Sequence, residues 1–454
     1  MRPPRARVLV AATTLGLVAL LAGVGLAAYT SPGGPRPGPT GGTGGASPIA
    51  VVPSVIVPAS ALPSAAPTAF ASAAAASAAP TRAASSPSAS PSPLPSPSPS
   101  APAGIAVPDP AKFGFAAKGM LGEVMAFVTV PELAYARDTL DLSAVSTLAF
   151  FSLQAAADGH LQHDSRWEAW NGPVFGAVLA RAHAAGTRVV LSVSRFSWSA
   201  DETAATLALL GSPARRARLA TEIAAEVVRR GVDGVNVDLE PVPVGQKAAF
   251  TSFVRQLRTA LDAAAPGLQL TVAITGYFSS YDVGRLTGPG AADAIYLMGY
   301  HYAGWWSKVA GSNAPLGGSG YTVATTIHDL LADGVPAERL IVGVPYYGHL
   351  WPTASGALHA RTIGQGSDVP LSDAMAILAN VTPRWDPVQG VTWAAWRENG
   401  TWMEIYVDDA RALAAKWRRY RQLGLLGTGM WTIAFEGAPG AANSALRAAW
   451  LAGP

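Results

Sequence analysis

Cysteine is absent from all 454 residues. That excludes disulfides, thiolate catalysis and cysteine-ligated metal sites, and it leaves the compartment to be read from other signals. Acidic residues are missing from the first 108 positions, whose only charged side chains are Arg2, Arg5, Arg7, Arg36 and Arg82. The whole chain carries 32 basic and 29 acidic residues, so positions 109–454 hold 27 and 29 and are slightly acidic. The basic balance belongs to the tail, and no basic patch is left to recognise nucleic acid. No Gly-x-Gly-x-x-Gly turn follows the first strand-like run, which weakens a dinucleotide-binding sheet. No wall-binding repeat of the LysM kind is visible in the sequence.

What is present is unevenly spread. Met1–Arg7 carries three arginines, and Val8–Thr30 is an uncharged apolar run. Secretory cores run about 7–15 residues, whereas about 20 are needed to span a bilayer. Residues 1–30 therefore read as a signal anchor in preference to a cleaved signal peptide, with its arginines on the cytoplasmic side. Either reading places the remainder outside the cytoplasm, secreted or held at the cell surface by a membrane contact of this segment. Residues 31–108 are almost entirely Pro, Ser, Ala, Gly and Thr. Such a stretch buries too little apolar surface to offset its ordering entropy, so it reads as a disordered tether.

Residues 109–454 read as one large α/β domain. Strand-like runs occupy Glu123–Val128, Thr147–Leu153, Arg188–Ser194, Gly234–Glu240, Gln269–Thr275, Ala292–Met298, Leu340–Pro345 and Gly427–Ile433. Helical periodicity is clearest in Ala214–Arg230, Lys247–Ala264 and Asp408–Leu423. Strands alternating with helices predict a (β/α)8 TIM barrel, with a doubly wound open sheet as the alternative. A small α+β insertion is expected at about 349–407. Within it Asn399-Gly400 predicts a two-residue hairpin that pairs Arg397 with Trp402 and Trp393 with Tyr406. Trp393, Trp402 and Tyr406 then share a face, which reads as the insertion's own core in preference to a sugar-stacking wall.

One strand conflicts with its surroundings. In Asp233-Gly-Val-Asn-Val-Asp-Leu-Glu240, the polar Asn236, Asp238 and Glu240 alternate with Val235, Val237 and Leu239. Alternate strand residues share a face, so three polar groups point one way. Burying carboxylates is costly unless they are paired or used. Glu240 ends the strand before Pro241, at the end where barrel enzymes carry catalytic groups. Two adjacent carboxyl groups do not ionise together easily, so one pKa rises and a protonated Glu becomes a suitable general acid. A hard-cation site and a satisfied structural network are the competing readings. The spacing also excludes an arrangement: groups on one face of one strand cannot flank a sugar ring from both sides, as two-carboxylate glycosidases require.

These residues resemble the signature of glycoside hydrolase family 18, the chitinases and related endo-β-N-acetylglucosaminidases. The family pattern is Asp-x-x-Asp-x-Asp-x-Glu, with Asn236 in place of its second Asp. The similarity extends over about 117–450. Tyr296-Leu-Met-Gly-Tyr300 resembles the sixth-strand Met-x-Tyr-Asp motif, with His301 replacing the Asp. Gly343-Val-Pro-Tyr-Tyr-Gly348 resembles the seventh-strand motif and brings Tyr346 and Tyr347 in as substrate-binding candidates. Gly429-Met-Trp431 matches the eighth strand. Ser192-Val-Ser-Arg195 departs from the usual Ser-x-Gly-Gly with bulkier residues.

The resemblance implies substrate-assisted, retaining hydrolysis of β-1,4 bonds in an N-acetylglucosamine polysaccharide, chitin or peptidoglycan. Glu240 would be the acid. Asp238 would orient the substrate's acetamide, and Tyr300 would hydrogen-bond its carbonyl. Asn236, Met298, Trp431, Tyr346 and Tyr347 would bind substrate, with Trp431 beneath the −1 sugar. No metal or organic cofactor is expected, and the expected state is a monomer. Trp305 and Trp306 either line neighbouring subsites or pack on their own loop. His301 stays outside the catalytic set, because a lone histidine is more often structural. The alternative function is a non-hydrolytic, lectin-like envelope protein on the same barrel.

Overall fold

The computed structural model describes residues 109–451, so the anchor expected at 1–30 and the tether expected at 31–108 lie outside the described residues. Strands β1 (Glu123–Thr129), β2 (Thr147–Gln154), β3 (Arg188–Phe196), β4 (Gly234–Glu240), β5 (Gln269–Thr275), β6 (Ala294–Met298) and β7 (Leu340–Pro345) follow one another with helices between them. The chain then makes β8 (Tyr347–Thr353), β9 (Ser367–Pro370), β10 (Arg384–Asp386), β11 (Val391–Glu398) and β12 (Thr401–Val407), and returns as β13 (Gly427–Trp431). The first seven strands and β13 close a parallel barrel in the order β1-β13-β7-β6-β5-β4-β3-β2. The open-sheet alternative is thereby excluded. The other five strands form an antiparallel sheet in the order β10-β11-β12-β8-β9.

The helices follow the spacing of their apolar residues. In Lys247–Ala264 the buried Phe250, Phe253, Val254, Leu257 and Leu261 recur at three- and four-residue intervals and so line one face. Pro213–Arg230 starts on the Ser212 cap, with Pro213 in its first turn, and stops at Gly231 in the left-handed region (φ 69°). Leu219, Ile223 and Val227 from this helix enter the same core as Val235, Val237 and Leu239 from the outer face of β4. The aliphatic half of the β4 alternation is thus sealed against helices, and the polar half is left to the barrel interior. Among the described residues no helix is long and apolar enough to cross a membrane.

The barrel interior is filled by a smaller cluster that includes Met125, Phe127, Ala149, Val190, Ala273, Tyr296 and Ile341. Two glycines make room for Tyr296. A Cβ at Gly343 would lie 2.4 Å from its hydroxyl, and a Cβ at Gly429 would lie 2.4 Å from its ring. Gly429→Ala is therefore expected to lower stability by about 1–3 kcal/mol through overpacking, read as a shifted midpoint in chemical denaturation. An unchanged midpoint would refute this account of the interior.

In the inserted sheet, β11 and β12 pair Trp393 with Tyr406 and Arg397 with Trp402, the register expected from the hairpin. Asn399 (φ 48°) and Gly400 (φ 84°) form its turn. Trp393 and Tyr406 are buried with Trp351, Val391 and Ala310 in a separate small core. Trp402 stays half-buried beneath the Arg397 guanidinium. Trp393 and Tyr406 are thus packing, joined in that small core by Trp351 of the neighbouring β8.

Candidate active site

β4 reaches the carboxyl end of the barrel with Asn236, Asp238 and Glu240 on its inner face, in register with Ser192, Ser194 and Phe196 of β3. Asp238 is buried, while Glu240, at the strand end, is half-buried. One Asp238 oxygen, Oδ1, has no hydrogen-bond partner among the described residues. A carboxylate so placed keeps its proton instead of paying for desolvation. Burial pushes Asp238 up to about 7. Glu240 is held well above the ordinary carboxyl range, first by burial and then by the charge of Asp238. The two titrate as a coupled pair, and a charged Asp238 disfavours ionisation of its neighbour Glu240. A raised carboxyl pair at the carboxyl end of a barrel strand can act as a proton donor.

Tyr300, which follows β6, is buried with the charges of Glu240 and Asp238 acting on its hydroxyl, so those three groups converge. Tyr347 packs edge-on against Tyr300, with ring centroids 6.3 Å apart. Trp431, the last residue of β13, is half-buried against the inner cluster. Its ring meets Phe151 at 4.7 Å and Phe127 at 5.6 Å. Met298 is half-buried against the same inner cluster. The half-exposed Trp305 and Trp306 stand edge-on at 5.3 Å in the loop after β6.

Two sequence-predicted substrate contacts are placed elsewhere. Asn236 is fully buried one layer below Asp238 and accepts a 2.9 Å hydrogen bond from the Thr271 hydroxyl. Two residues along a strand are about 6.6 Å deeper, so Asn236 lies beneath the pair, and its Nδ2 has no hydrogen-bond partner among the described residues. Tyr346 is fully buried in the core outside the barrel interior, where Glu436 and Tyr135 are its titratable neighbours. Tyr346 sits at the bend between β7 and β8 and packs into that core, whereas Tyr347, the first residue of β8, packs on Tyr300.

Arg195 resolves the departure on β3. It points away from the barrel axis, donating from Nη1 to the Ala155 carbonyl (2.6 Å) and from Nε to Thr206 (3.1 Å). Of the two departing residues only Ser194 faces inward, 2.7 Å from the Ser152 hydroxyl. Several supporting groups escaped the sequence reading. Tyr281 donates to the Leu239 carbonyl at 3.0 Å and so fixes the backbone just before Glu240. Thr271 becomes legible only once the β4–β5 register is known. Ser152 and Phe151 lie at the irregularity in the β2–β3 pairing, which no local pattern announces.

Comparison with known proteins agrees with this geometry. The family model described as Glycosyl hydrolases family 18 matches residues 124–436. The chain is 29% identical over 244 residues to the protein named "Putative sporulation-specific glycosylase YdhD" of Bacillus subtilis, covering 51% of this chain and 54% of that one. It is 23% identical over 300 residues to the cortical fragment-lytic enzyme of Bacillus anthracis, covering 63% and 64%. The chain thus spans about half the length of YdhD and somewhat under two thirds of the second relative. Among solved structures, the family 18 chitinase of Cycas revoluta bound to (GlcNAc)3 superposes with a TM-score of 0.64 at 18% identity, over 72% of this chain and 99% of that one. That likeness is one of fold. With a family model covering more than half its length and the Asp238–Glu240 pair at the end of a barrel strand, the chain belongs to glycosyl hydrolases family 18.

Proposed function

We propose that this protein is an extracytoplasmic, retaining glycoside hydrolase that cleaves β-1,4 bonds after N-acetylglucosamine by substrate-assisted catalysis. The observation that carries the proposal is a carboxyl pair on one face of one strand, both members raised in pKa, with the outer one at the cleft. A pair so placed can donate a proton but cannot also supply a nucleophile from the far side of the ring. The substrate's own acetamide oxygen fills that role. Glu240 donates its proton to the glycosidic oxygen as the acetamide carbonyl attacks the anomeric carbon, and the bond to the leaving sugar breaks. Asp238 and Tyr300 hold the acetamide as charge develops on it. Water, deprotonated by the Glu240 carboxylate, then opens the oxazolinium ring with net retention. Trp431 supplies an apolar face for the sugar at the cleavage point.

Peptidoglycan stands beside chitin as substrate, because the relatives include a cortical fragment-lytic enzyme as well as endochitinases. The arginine-flanked apolar segment 1–30 and the Pro/Ser-rich 31–108 support a barrel tethered outside the cytoplasm at a membrane. The test incubates the purified chain with chitin oligomers and with peptidoglycan and scores new reducing ends. Cleavage of one polymer names the substrate. Tight binding with no cleavage of either returns the protein to the lectin-like reading and refutes the hydrolase.

A further inference from the structure

Between the loop that follows β6 and the insertion lies a cavity of about 450 Å³ that the mechanism above does not use. One wall is made by residues of the loop between Tyr302 and Ser312, and the insertion supplies the other with His359 and Gln389. Ser307 and Lys308 enter this lining directly after Trp306, whose ring stands 6.1 Å from that of His301 beside Tyr300. Tyr302 points outward instead, its hydroxyl donating to Thr326 at 2.9 Å. The cavity therefore adjoins the proposed cleft across one loop.

Hydrogen bonds hold its walls in place. The Ala310 N–H donates to the Ala360 carbonyl at 2.9 Å, and the Thr362 N–H donates to the Lys308 carbonyl at 3.0 Å. The Thr362 hydroxyl adds a 2.7 Å bond to the Ser307 carbonyl, so loop and insertion are stitched together. The buried Asp386 fixes the facing side: its Oδ1 accepts from the Gln389 N–H at 3.1 Å, and its Oδ2 lies 3.0 Å from His359 Nε2. His359 donates from Nδ1 to the Ala310 carbonyl at 3.2 Å and stacks on Tyr406 at 5.7 Å. A concave, preformed site with a few placed polar groups is the usual form of a ligand pocket.

Its chemistry is one-sided. The lining carries Lys308 and His359 but no Asp or Glu. Lys308 is exposed, and among the described residues its ammonium group has no ion-pair or hydrogen-bond partner. The Gln389 carboxamide accepts the Ser312 N–H through Oε1 at 2.8 Å, which leaves its NH2 group to donate elsewhere. Tyr321 adds an aromatic wall, with its ring 4.4 Å from Tyr302 and 4.1 Å from Tyr277. An ammonium and an amide donor beside ring faces suit a carboxylate carried on a short peptide. Of the two polymers proposed as substrate, peptidoglycan bears such groups on its peptide stems, and chitin bears none.

We propose that this pocket binds a carboxylate of a peptide stem borne by the glycan in the cleft, through Lys308 and Gln389, and so selects peptidoglycan over chitin. This assignment rests on the glycan-cleaving reading above and narrows its substrate.

The test uses the full chain carrying Glu240→Gln, titrated by calorimetry with four probes: a soluble peptidoglycan fragment, the same fragment stripped of its stems by an amidase, the free stem peptide, and chitin hexamer. The stem-bearing fragment is expected to bind about tenfold more tightly than the stripped one, roughly the worth of one hydrogen bond to a charged group. Adding Lys308→Ala, at an exposed side chain, should abolish that difference and leave the stripped fragment and chitin unaffected. Gly311→Leu should do the same by another route. A Cβ there would meet Gln389 at 3.6 Å and His359 at 3.8 Å, ordinary contact distances, so the longer side chain fills the pocket floor. The free peptide should bind far more weakly than the fragment that carries it. In the active chain, Lys308→Ala should raise KM for stem-bearing peptidoglycan with kcat nearly unchanged. Equal affinity for stripped and stem-bearing fragments overturns this assignment alone, as does a Lys308→Ala loss shared equally by every probe, a free peptide that binds as tightly as the whole fragment, or binding of chitin without either fragment. A Glu240→Gln chain that binds no glycan overturns the glycan reading and this one with it.

Discussion

Glu240→Gln is expected to lower kcat on the cleaved polymer by about a thousandfold or more while leaving KM within a few-fold of the parent value. A positioned general acid contributes about 10²–10⁴-fold by itself. Here the loss should sit at the upper end, because bond cleavage and the water step both pass through the same carboxyl group. Gln matches Glu in shape and keeps hydrogen bonds to a bound sugar, so binding should survive. The pH profile gives a second readout. Activity that needs a protonated Glu240 is present below its folded pKa and lost as pH rises through it. Since burial and Asp238 hold that pKa well above 4.5, the alkaline limb should lie far above that of an ordinary carboxylic acid. Residual turnover within tenfold of the parent would mean that another residue is the acid.

Much of this site was legible in the chain because a strand has a period of two. The alternation of Val235, Val237 and Leu239 with Asn236, Asp238 and Glu240 assigns faces without any tertiary information, and the structure buries the two sets on opposite sides of β4. The same rule does not reach Tyr346 and Tyr347, because Tyr346 sits at the bend between β7 and β8. Both were named from a motif, and only Tyr347 packs on Tyr300. Depth was the other thing hidden. Asn236 shares a face with Glu240, but the strand runs along the barrel axis, so position along it decides whether a side chain meets solvent or Thr271. Contacts between distant segments left no local trace. His349 and Asp368 are brought together only by the pairing of β8 with β9. Arg195 looked like bulk in the cleft because its motif gave no hint that the odd-numbered residues of β3 at that end face outward, toward Thr206.

Asp238→Asn is expected to cripple catalysis and stabilise the fold at alkaline pH. Asp238 titrates near 3.8 when free, and burial moves it to about 7. Between those values the folded chain holds a proton that the unfolded chain has already released. For this group, stability is greatest below about pH 4, falls as pH rises, and levels off above about 7. Each unit of that interval is worth about 1.4 kcal/mol, so the carboxyl group costs the native state a few kcal/mol at pH 8. Asparagine has no proton to lose. Glu240 is also relieved of a charged neighbour in the variant, which acts in the same direction. Denaturation midpoints should therefore nearly coincide at pH 4 and separate in favour of the variant at pH 8, with kcat lower by about 10²–10³-fold. An equal offset at both pH values would place the effect in packing instead of charge. The expected opposition between activity and stability has one origin. A carboxyl group left without a partner on one oxygen is a poor element of a core, and it is free to meet an acetamide that arrives with the substrate.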